Sequence, residues 1–568
     1  MSRKRFRHLL LSGITLLEVG QILLQPAVAQ SLVPLPRPRS LPAPSGALLR
    51  NLEALQRDLE ILDRSLPPAR AEGSPPGQED GALLSRLTAP APAALPSTIE
   101  AVTIQERLRV NLPTALAVAV RNDPDLAAVV ESVRERQDLA RSARGRWWPE
   151  VGLNLGGGFN QQRSYSGVWD GNVGIYPQTS PFLVKTGGWN LVQTNNGFGG
   201  GGVGMDWALI SPERGAAIAE ADQELLASRQ RYGDRLRQLQ LDVSLAYYGL
   251  QLADQMQRIR RAVVDSDTVV RDQVAALKTA GLVPRLDLLR AEAELQQSRF
   301  RLQQAEALRL SRERQLSNRL NVPFTVTLTA DEAVRLQPPW PLDLQQTILQ
   351  GYAANPQLLA LQAAREALLR QADRRAAELL PSLRLVAAAS YGESVVSQPV
   401  IQLEGCCGAA HIRQLYNQSA DWAAGLRLHW RVFDGGVTAN AAAASRSAAR
   451  RTDQTLARER NAIRQRLEAA FYDHQAALEQ ILAARASYSA AREAFRDVRA
   501  RYQLGLADYT DVANTVTTLT AAMEGVAEST TLANVSYAQL LRELLPVSDQ
   551  PGAPVSLPLV LEAGRPAS

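Results

Sequence analysis

The apolar positions of this chain follow two different periods in different segments. From Pro212 to Ala280, and again over about 439–504, no further proline occurs and apolar residues recur at alternating steps of four and three. This spacing predicts long helices wound in left-handed coiled coils, the first of them roughly 100 Å long. We interpret His474, in the second seam, as a tolerated polar residue rather than a ligand. That seam comprises Ile463, Leu467, Ala470, His474, Ala477, Ile481, Ala484, Tyr488, Ala491, Phe495, Val498 and Tyr502.

Four other segments alternate apolar and polar residues with a period of two, which predicts β-strands. In 422–432, tryptophans lie towards both ends of one face, and two arginines and a histidine occupy the other. A soluble sandwich would alternate as well, but this distribution suits a lipid-facing wall around a watery lumen. The Gly-, Asn- and Ser-rich segments at about 160–200 and 393–420 are predicted to be exposed loops. The predicted apolar faces are Val151, Leu153, Leu155; Val203, Met205, Trp207, Leu209; Leu383, Leu385, Ala387, Ala389, Tyr391; and Trp422, Ala424, Leu426, Leu428, Trp430, Val432.

The chain repeats one unit twice. Each unit reads as helix, strand, loop, strand, very long helix, tight turn and returning helix. We predict the first unit over 101–325, the second over 326–545, and a flexible C-terminal tail over 546–568. The matched positions, first copy before second, are 122–124 and 354–356, Pro149 and Pro381, Trp207 and Trp430, and Gly281 and Gly505.

The first 29 residues resemble a secretory signal, with a basic start, an apolar centre and a small-residue cleavage pattern ending at Ala29. No later segment has the ~20 consecutive apolar residues of a membrane-spanning helix. Any membrane attachment is therefore expected through the strands. Because known outer-membrane barrels start at about eight strands, four strands cannot close one, and several copies of the chain must each supply a share.

Residues 30–100 are rich in Pro, Ala and Ser, which favours an extended tether. Inside this tail, leucines at coiled-coil spacing predict a short helix. Two interpretations remain open: the helix lies on the main body, or it associates with other copies of itself. The leucines are Leu48, Leu52, Leu55, Leu59, Leu62 and Leu66.

The composition excludes several functions. The 62 basic and 57 acidic residues are mixed along helical stretches, which indicates a solvated surface and no nucleic-acid patch. Cys406 and Cys407 are adjacent, so they form either a strained vicinal pair or plain loop residues. The histidines are scattered, and the glycine-rich stretch 197–204 lacks the lysine of a phosphate loop. We therefore expect no enzyme, no cofactor and no metal site.

The order of these landmarks, found twice, resembles the TolC family of outer-membrane efflux proteins. The resemblance covers about residues 110–545 and includes the Trp-x-x-Phe-Asp-Gly-Gly motif at 430–436. It implies an α+β membrane protein: a homotrimer in which each protomer gives four strands to a 12-stranded barrel and long antiparallel coiled-coil helices to a periplasmic tunnel. It implies an exit duct in outer-membrane lipid that serves a tripartite efflux pump or a type I secretion system. A periplasmic adaptor would join it to an inner-membrane RND or ABC transporter.

The resemblance also implies a gate at the inner mouth of the tunnel. Asp287 falls on the family's gating aspartate and Tyr502 on the tyrosine that it can bond. The usual arginine partner is replaced by Ala507. The latch is therefore either weaker than in the family or uses a different arginine, and the candidates are Arg285, Arg499 and Arg501.

Further residues of the mouth follow from the same resemblance. Asp511 falls on the first of two lumen aspartates, and Asn514 replaces the second. Three copies of Asp511 would attract cations to a narrow opening, although the residue would also suit the positive end of the returning helix. Arg499 and Gly505 belong to a tip pattern that meets adaptor proteins, and Gly281 and Gly505 serve the tight turns. The rival hypothesis is a periplasmic coiled-coil scaffold without a pore, which leaves the tryptophan-bearing strands unexplained.

Overall fold

The computed structural model describes residues 56–57, 59–67, 85–167, 189–331, 334–353, 355–402, 412–555 and 557–561. All described residues lie within the unit Pro44–Ser568. The predicted signal peptide at 1–29 and the pair Cys406 and Cys407 lie outside the described residues.

The described residues form one series of seven elements twice. The first series is β1 (Glu106–Val110), α1 (Leu112–Asn122), α2 (Pro124–Gly145), β2 (Glu150–Gly167), β3 (Trp189–Ile210), α3 (Pro212–Thr279) and α4 (Arg285–Arg319). The second is β4 (Val326–Ala330), α5 (Leu344–Ala353), α6 (Pro356–Ala377), β5 (Ser382–Gln402), β6 (Ile412–His429), α7 (Val437–Gln503) and α8 (Tyr509–Leu544).

The same local chemistry starts the equivalent helices α2 and α6. The Asp123 side chain accepts a hydrogen bond from the backbone N–H of Leu126 at 2.6 Å, and Asn355 accepts one from Gln357 at 3.0 Å. Each cap is followed by a proline in the first turn, where a missing N–H costs nothing. The repeated Asp-Pro and Asn-Pro landmarks are therefore helix starts.

Two very long helices organise the molecule. α3 has 68 residues and α7 has 67, so each is roughly 100 Å long. Ion pairs show that the first part of α3 packs on α2 and α6, through Glu224 with Arg136 and Glu220 with Arg374. The second part packs on the returning helix α4, and α7 packs on α6 and α8.

The four long strands form one antiparallel sheet in the order β2-β3-β5-β6. The register places Leu153 opposite Val203, Val203 opposite Ala389 and Ala389 opposite Trp422. The alternation alone predicts these residues on apolar faces. The pairing register of the four strands confirms that the four predicted faces lie on the same side of the sheet. Trp430 and Val432 lie beyond the end of β6 at His429, which corrects the predicted strand end.

The predicted loops at about 160–200 and 393–420 are wrong over much of their length. β2 continues to Gly167 and β3 begins at Trp189, while β5 reaches Gln402 and β6 starts at Ile412. Gly and Asn have low strand propensity, but an antiparallel ladder is held by backbone groups that every non-proline residue carries. The hairpin arms are therefore longer than their composition indicates.

Two further features differ from the sequence-based expectation. β1 and β4 form a parallel pair, with Leu108 opposite Leu328, that was not predicted from the sequence.

The tail predicted to be flexible at 546–568 is packed where it is described. Gln240 donates to the carbonyl of Pro558 at 2.8 Å, and the N–H of Leu561 donates to the Tyr537 hydroxyl at 3.0 Å. The apolar alternation of Val555, Leu557, Leu559 and Leu561 is the signal for this packing.

The leucine-rich segment, defined here as residues 56–57 and 59–67, lies against the long helices. Leu59, Leu62 and Leu66 are buried in one cluster with Ile259 of α3 and Ile481 of α7. Three hydrogen-bonding contacts from Arg258 to Asp63 and Pro67 fix the segment to α3. Within the described residues, the packing is on the main body.

Candidate functional site

One face of the sheet carries an exposed apolar band. Trp422 is 82% exposed and Leu155 is 76% exposed, which is unusual for side chains of this size. On β2 the band runs from Val151 to Phe159, and on β5 from Leu383 to Tyr391. Beyond these residues the same face becomes more polar, with Gln161 and Arg163 on β2 and Glu393 on β5, although Val395 follows on β5. Such a span matches the ~9–11 residues with which a tilted strand crosses a bilayer.

The opposite face of the sheet is mostly small and polar, with Phe198 and Val386 as apolar exceptions. Arg384 and Asp206 form an ion pair at 2.8 Å, and Arg427 lies directly across the ladder from Arg384. Glycines line much of the remaining face. A wall that is apolar outside and polar with small side chains inside is suited to enclosing water within a membrane.

Equivalent tryptophans join the sheet to the helices in both repeats. The indole N–H of Trp207 donates to the carbonyl of Trp147 at 2.9 Å, and that of Trp430 donates to Leu379 at 3.1 Å. Each acceptor lies two residues before the proline that precedes β2 or β5. Arg214 adds a cation–π contact, with its guanidinium 4.3 Å from the Trp147 ring centroid. These contacts fix the helices relative to the strands.

The two turns at the far end of the long helices have the same geometry. Gly281 has φ +77° and Gly505 has φ +72°, a region that L side chains rarely adopt. In each turn the next residue donates back five positions, from Leu282 to Leu277 and from Leu506 to Arg501. This is the Schellman closure, and it requires the left-handed residue that both glycines supply.

Asp287 and Tyr502 lie close together but do not hydrogen-bond in the protomer. Asp287 lies in the first turn of α4, and its carboxylate is 3.9 Å from the guanidinium of Arg290. The Tyr502 hydroxyl is buried and has no hydrogen-bond partner among the described residues. Burial and the nearby Asp287 carboxylate raise the pKa of Tyr502, so its hydroxyl remains a donor at neutral pH. Of the alternative partners, Arg501 pairs instead with Asp497 at 3.0 Å.

Asp511 and Asn514 are both exposed near the start of α8. Asp508 is the N-cap and accepts from the Asp511 N–H at 2.9 Å, while the Asp511 carboxylate accepts from the Asp508 N–H at 3.4 Å. This capping box gives Asp511 a role in starting the helix. Its carboxylate nevertheless remains open to solvent. Arg499, near the end of α7, is also exposed.

Three polar residues between the hairpins, Asp267, Glu294 and Tyr509, were not predicted from the sequence. They line one small pocket between α3, α4 and α8. Asp267 lies in the seam register of α3, but Gln257 and Arg260 of that register are polar as well, so the spacing alone does not show which charges become buried.

The described residues contain no group of three or more His, Cys, Asp or Glu side chains that could hold a metal ion. Among them, no helix combines the length and the hydropathy needed to cross a bilayer.

Comparison with known proteins agrees with this geometry. The family model described as outer membrane efflux protein matches residues 115–322 and 348–544, which fall within the two repeats. No curated protein matches the sequence significantly.

Solved structures share the fold at low identity. The outer membrane protein VceC of Vibrio cholerae is 15% identical with a TM-score of 0.56, over 76% of this chain and 95% of VceC. The CmeC outer membrane channel of Campylobacter jejuni is 12% identical with a TM-score of 0.57, over 81% and 94%. The open-state MtrE channel of Neisseria gonorrhoeae is 17% identical with a TM-score of 0.53, over 81% and 98%.

The fold and the apolar-outside wall define an outer-membrane channel extended by helices. The chain belongs to the outer membrane efflux protein family, with the TolC-like α+β fold. It is an efflux channel of the outer membrane that reaches into the periplasm, the exit duct of a tripartite pump, and not an enzyme or a scaffold without a pore. Membership in this family implies an adaptor and an inner-membrane transporter as partners.

Proposed function

We propose that three copies of this chain close a 12-stranded barrel by pairing β6 of one protomer with β2 of the next. Both are edge strands of the sheet, and both are 18 residues long. Each edge presents a row of backbone N–H and C=O groups that have no strand partner among the described residues, which hydrocarbon does not tolerate. The free edges are the observation that supports closure between copies, and the trimeric homologues suggest the number three.

The two edges also fit each other in one register. Full-length antiparallel pairing sets Glu150 opposite His429 at one end and keeps both apolar faces outward. It brings Trp422 against Gly157 and Phe159 against Ala420, large side chains beside small ones. A shift of one residue would turn one apolar face inwards.

Cross-linking tests this register. In a Cys406→Ser/Cys407→Ser background, Asn154→Cys combined with Gly425→Cys places thiols in opposed positions, within the Cα separation that a disulfide spans. We expect covalent trimers on non-reducing denaturing gels. The control, Asn154→Cys with Leu426→Cys, places the thiols on opposite faces. Equal yields from the two pairs, or no covalent oligomer from the first, would contradict the register.

We expect the signal at 1–29 to direct export of the protein. In the outer membrane, lipid is expected to contact the apolar band of the sheet. Fractionation tests both points. The protein should enter the outer membrane and run as a heat-labile oligomer in mild detergent. A soluble periplasmic monomer would overturn the proposal.

The helical tips are the expected docking site for the periplasmic adaptor. Leu282, Leu504 and Leu506 are 72%, 75% and 73% exposed there, beside Arg499. The transporter beyond the adaptor, of the RND or ABC class, would set the cargo, whether small molecules or secreted proteins.

At the inner mouth, Asp287 with Tyr502 is the proposed latch, and Asp511 the proposed cation-attracting ring beside Asn514. Asp511→Asn should weaken cation selectivity and block by trivalent cations in planar-bilayer recordings, because it removes three lumen charges. Asp508→Asn is the control, since Asn caps a helix as well as Asp does. Unchanged selectivity and block in Asp511→Asn would remove Asp511 from the lumen.

A further inference from the structure

The two helical hairpins meet in one apolar cluster near their tips. Val274 of α3 and Ala291 of α4 are buried there with Tyr502 of α7 and Val512 of α8. Any movement of the α7–α8 hairpin away from the α3–α4 hairpin must open this cluster. The groups buried within it therefore distinguish the packed arrangement from a separated one.

A carboxylate lies inside this contact. Asp267 of α3 is only 8% exposed, and its Oδ2 atom is buried without a hydrogen-bond partner among the described residues. Its side chain faces a pocket shared with Glu294 of α4 and Tyr509 of α8. Ser298, also of α4, lies within hydrogen-bonding reach of the carboxylate.

The charges around Asp267 leave it poorly compensated. On α4, Glu294 repels its negative charge while Arg301 attracts it. On α8, Tyr509 contributes a neutral phenol, because burial and the two carboxylates raise its pKa to about 12. On its own helix, Arg271 pairs with Asp272 at 3.0 Å and Asp265 is exposed. Burial, followed by Glu294, raises the pKa of Asp267.

We propose that Asp267, Glu294 and Tyr509 form a second closing contact of the gate, separate from Asp287 and Tyr502, in which a proton held by Asp267 keeps the two hairpins together. An unpaired buried carboxylate opposes closure, since its charge is out of water. Protonation removes that opposition. This inference rests on the proposed channel and adds the group that regulates its mouth.

The direction of the pH effect follows from linkage. In the packed state the pKa of Asp267 is raised, whereas separation of the hairpins would return the carboxyl to water and to its ordinary pKa. The packed state therefore binds the proton more tightly than the separated state. Low pH favours closure, and this preference is lost as the pH rises through the raised pKa. We expect the open fraction to increase as the pH rises from acid to neutral.

Planar-bilayer recording of the purified trimer between pH 4 and pH 8 tests the proposal. Wild type should show an open probability that rises with pH. Asp267→Asn, which mimics the protonated carboxyl, should stay closed across the range, with an open probability at least tenfold below wild type at pH 8. Glu294→Gln removes the repulsion and should shift the midpoint to lower pH by about one unit.

Asp265→Asn is the matched control, because it removes an exposed carboxylate two residues away on the same helix, and it should behave like wild type. Trimer bands on mild gels establish that each variant has assembled. A wild-type pH response retained in both Asp267→Asn and Glu294→Gln would overturn this inference and leave the channel intact. Absence of any conductance in wild type would instead count against the proposed function.

Discussion

Replacing Arg258 with methionine tests how the leucine-rich segment is held on the tunnel helices. Arg258 donates from Nε to the carbonyl of Pro67 at 2.8 Å and from Nη2 to the carbonyl of Asp63 at 2.9 Å. Its Nη1 also pairs with the Asp63 carboxylate. Methionine fills a similar volume but makes none of these contacts, so the change isolates the polar part of the attachment.

The magnitude follows from these contacts. Hydrogen bonds involving a charged group contribute ~1.5–3 kcal/mol each. The Asp63 side chain is 36% exposed and recovers water when Arg258 is lost, which places the ion pair at the low end. Because the three contacts come from one guanidinium and are not additive, we expect docking of the segment to weaken by about 2–3 kcal/mol in total, which is less than their sum. This corresponds to a roughly 30- to 150-fold larger population of the undocked segment.

Limited proteolysis measures that population. Arg64 has an 80% exposed side chain but lies in a helical turn that trypsin must unfold before cleavage. When opening is fast relative to cleavage, the rate follows the open fraction. Cleavage of the native protein after Arg64 should therefore accelerate by the same factor in Arg258→Met.

The control is Arg261→Met, which removes one arginine from the same helix without touching the segment. Arg261 pairs with Glu306 of α4 at 3.0 Å. Its cleavage rate after Arg64 should match wild type. Equal rates in wild type and in Arg258→Met would show that the leucines alone hold the segment and would refute the estimate.

The remaining predictions concern the buried His474, the sheet glycines Gly200 and Gly204, and the turn glycine Gly505. Burial lowers the pKa of His474 to about 4, so the unfolded chain binds one proton more than the folded chain between pH 6.5 and pH 4. The free energy of unfolding should therefore fall by about 3 kcal/mol per protomer over this range. In His474→Gln the free energy of unfolding should depend less on pH in the same range. Gly200→Ala should abolish stable trimers on gels, because its Cβ would lie 2.5 Å from the Tyr391 carbonyl, whereas Gly204→Ala meets nothing within 4 Å and should assemble normally. Gly505→Ala should cost about 1–2 kcal/mol from backbone strain alone, read out as faster hydrogen exchange at the turn, with a smaller effect for Gly505→Asn.

Features with a strict local cause were predictable from the sequence. The strand faces follow from alternation, since one residue of slip would expose the wrong side chains. The helix starts at Pro124 and Pro356 follow from capping chemistry, and the turns at Gly281 and Gly505 follow from backbone sterics. Each depends on residues within a few positions, so no tertiary information was needed.

Features that depend on distant partners were not predictable in the same way. The glycine-rich arms of β3 pair because β2 and β5 lie beside them, not because of their own propensity. Asp267 occupies an ordinary polar place in the sequence of α3, and only the approach of α4 and α8 buries it. The order of the segment after Leu544 depends similarly on α3 and α8. Asp287 and Asp511 have no local pattern that marks their proposed roles, which follow from the family resemblance.

The length of the hairpin arms has a consequence for what leaves the duct. On β2 the apolar face ends at Phe159 while the strand continues to Gly167. Eight more residues at the tilt of barrel strands hold the rim roughly 20 Å above the hydrocarbon. A hydrophobic compound released at that height enters bulk water before it contacts lipid. Its diffusion into the medium therefore reduces the fraction that partitions back into the cell envelope.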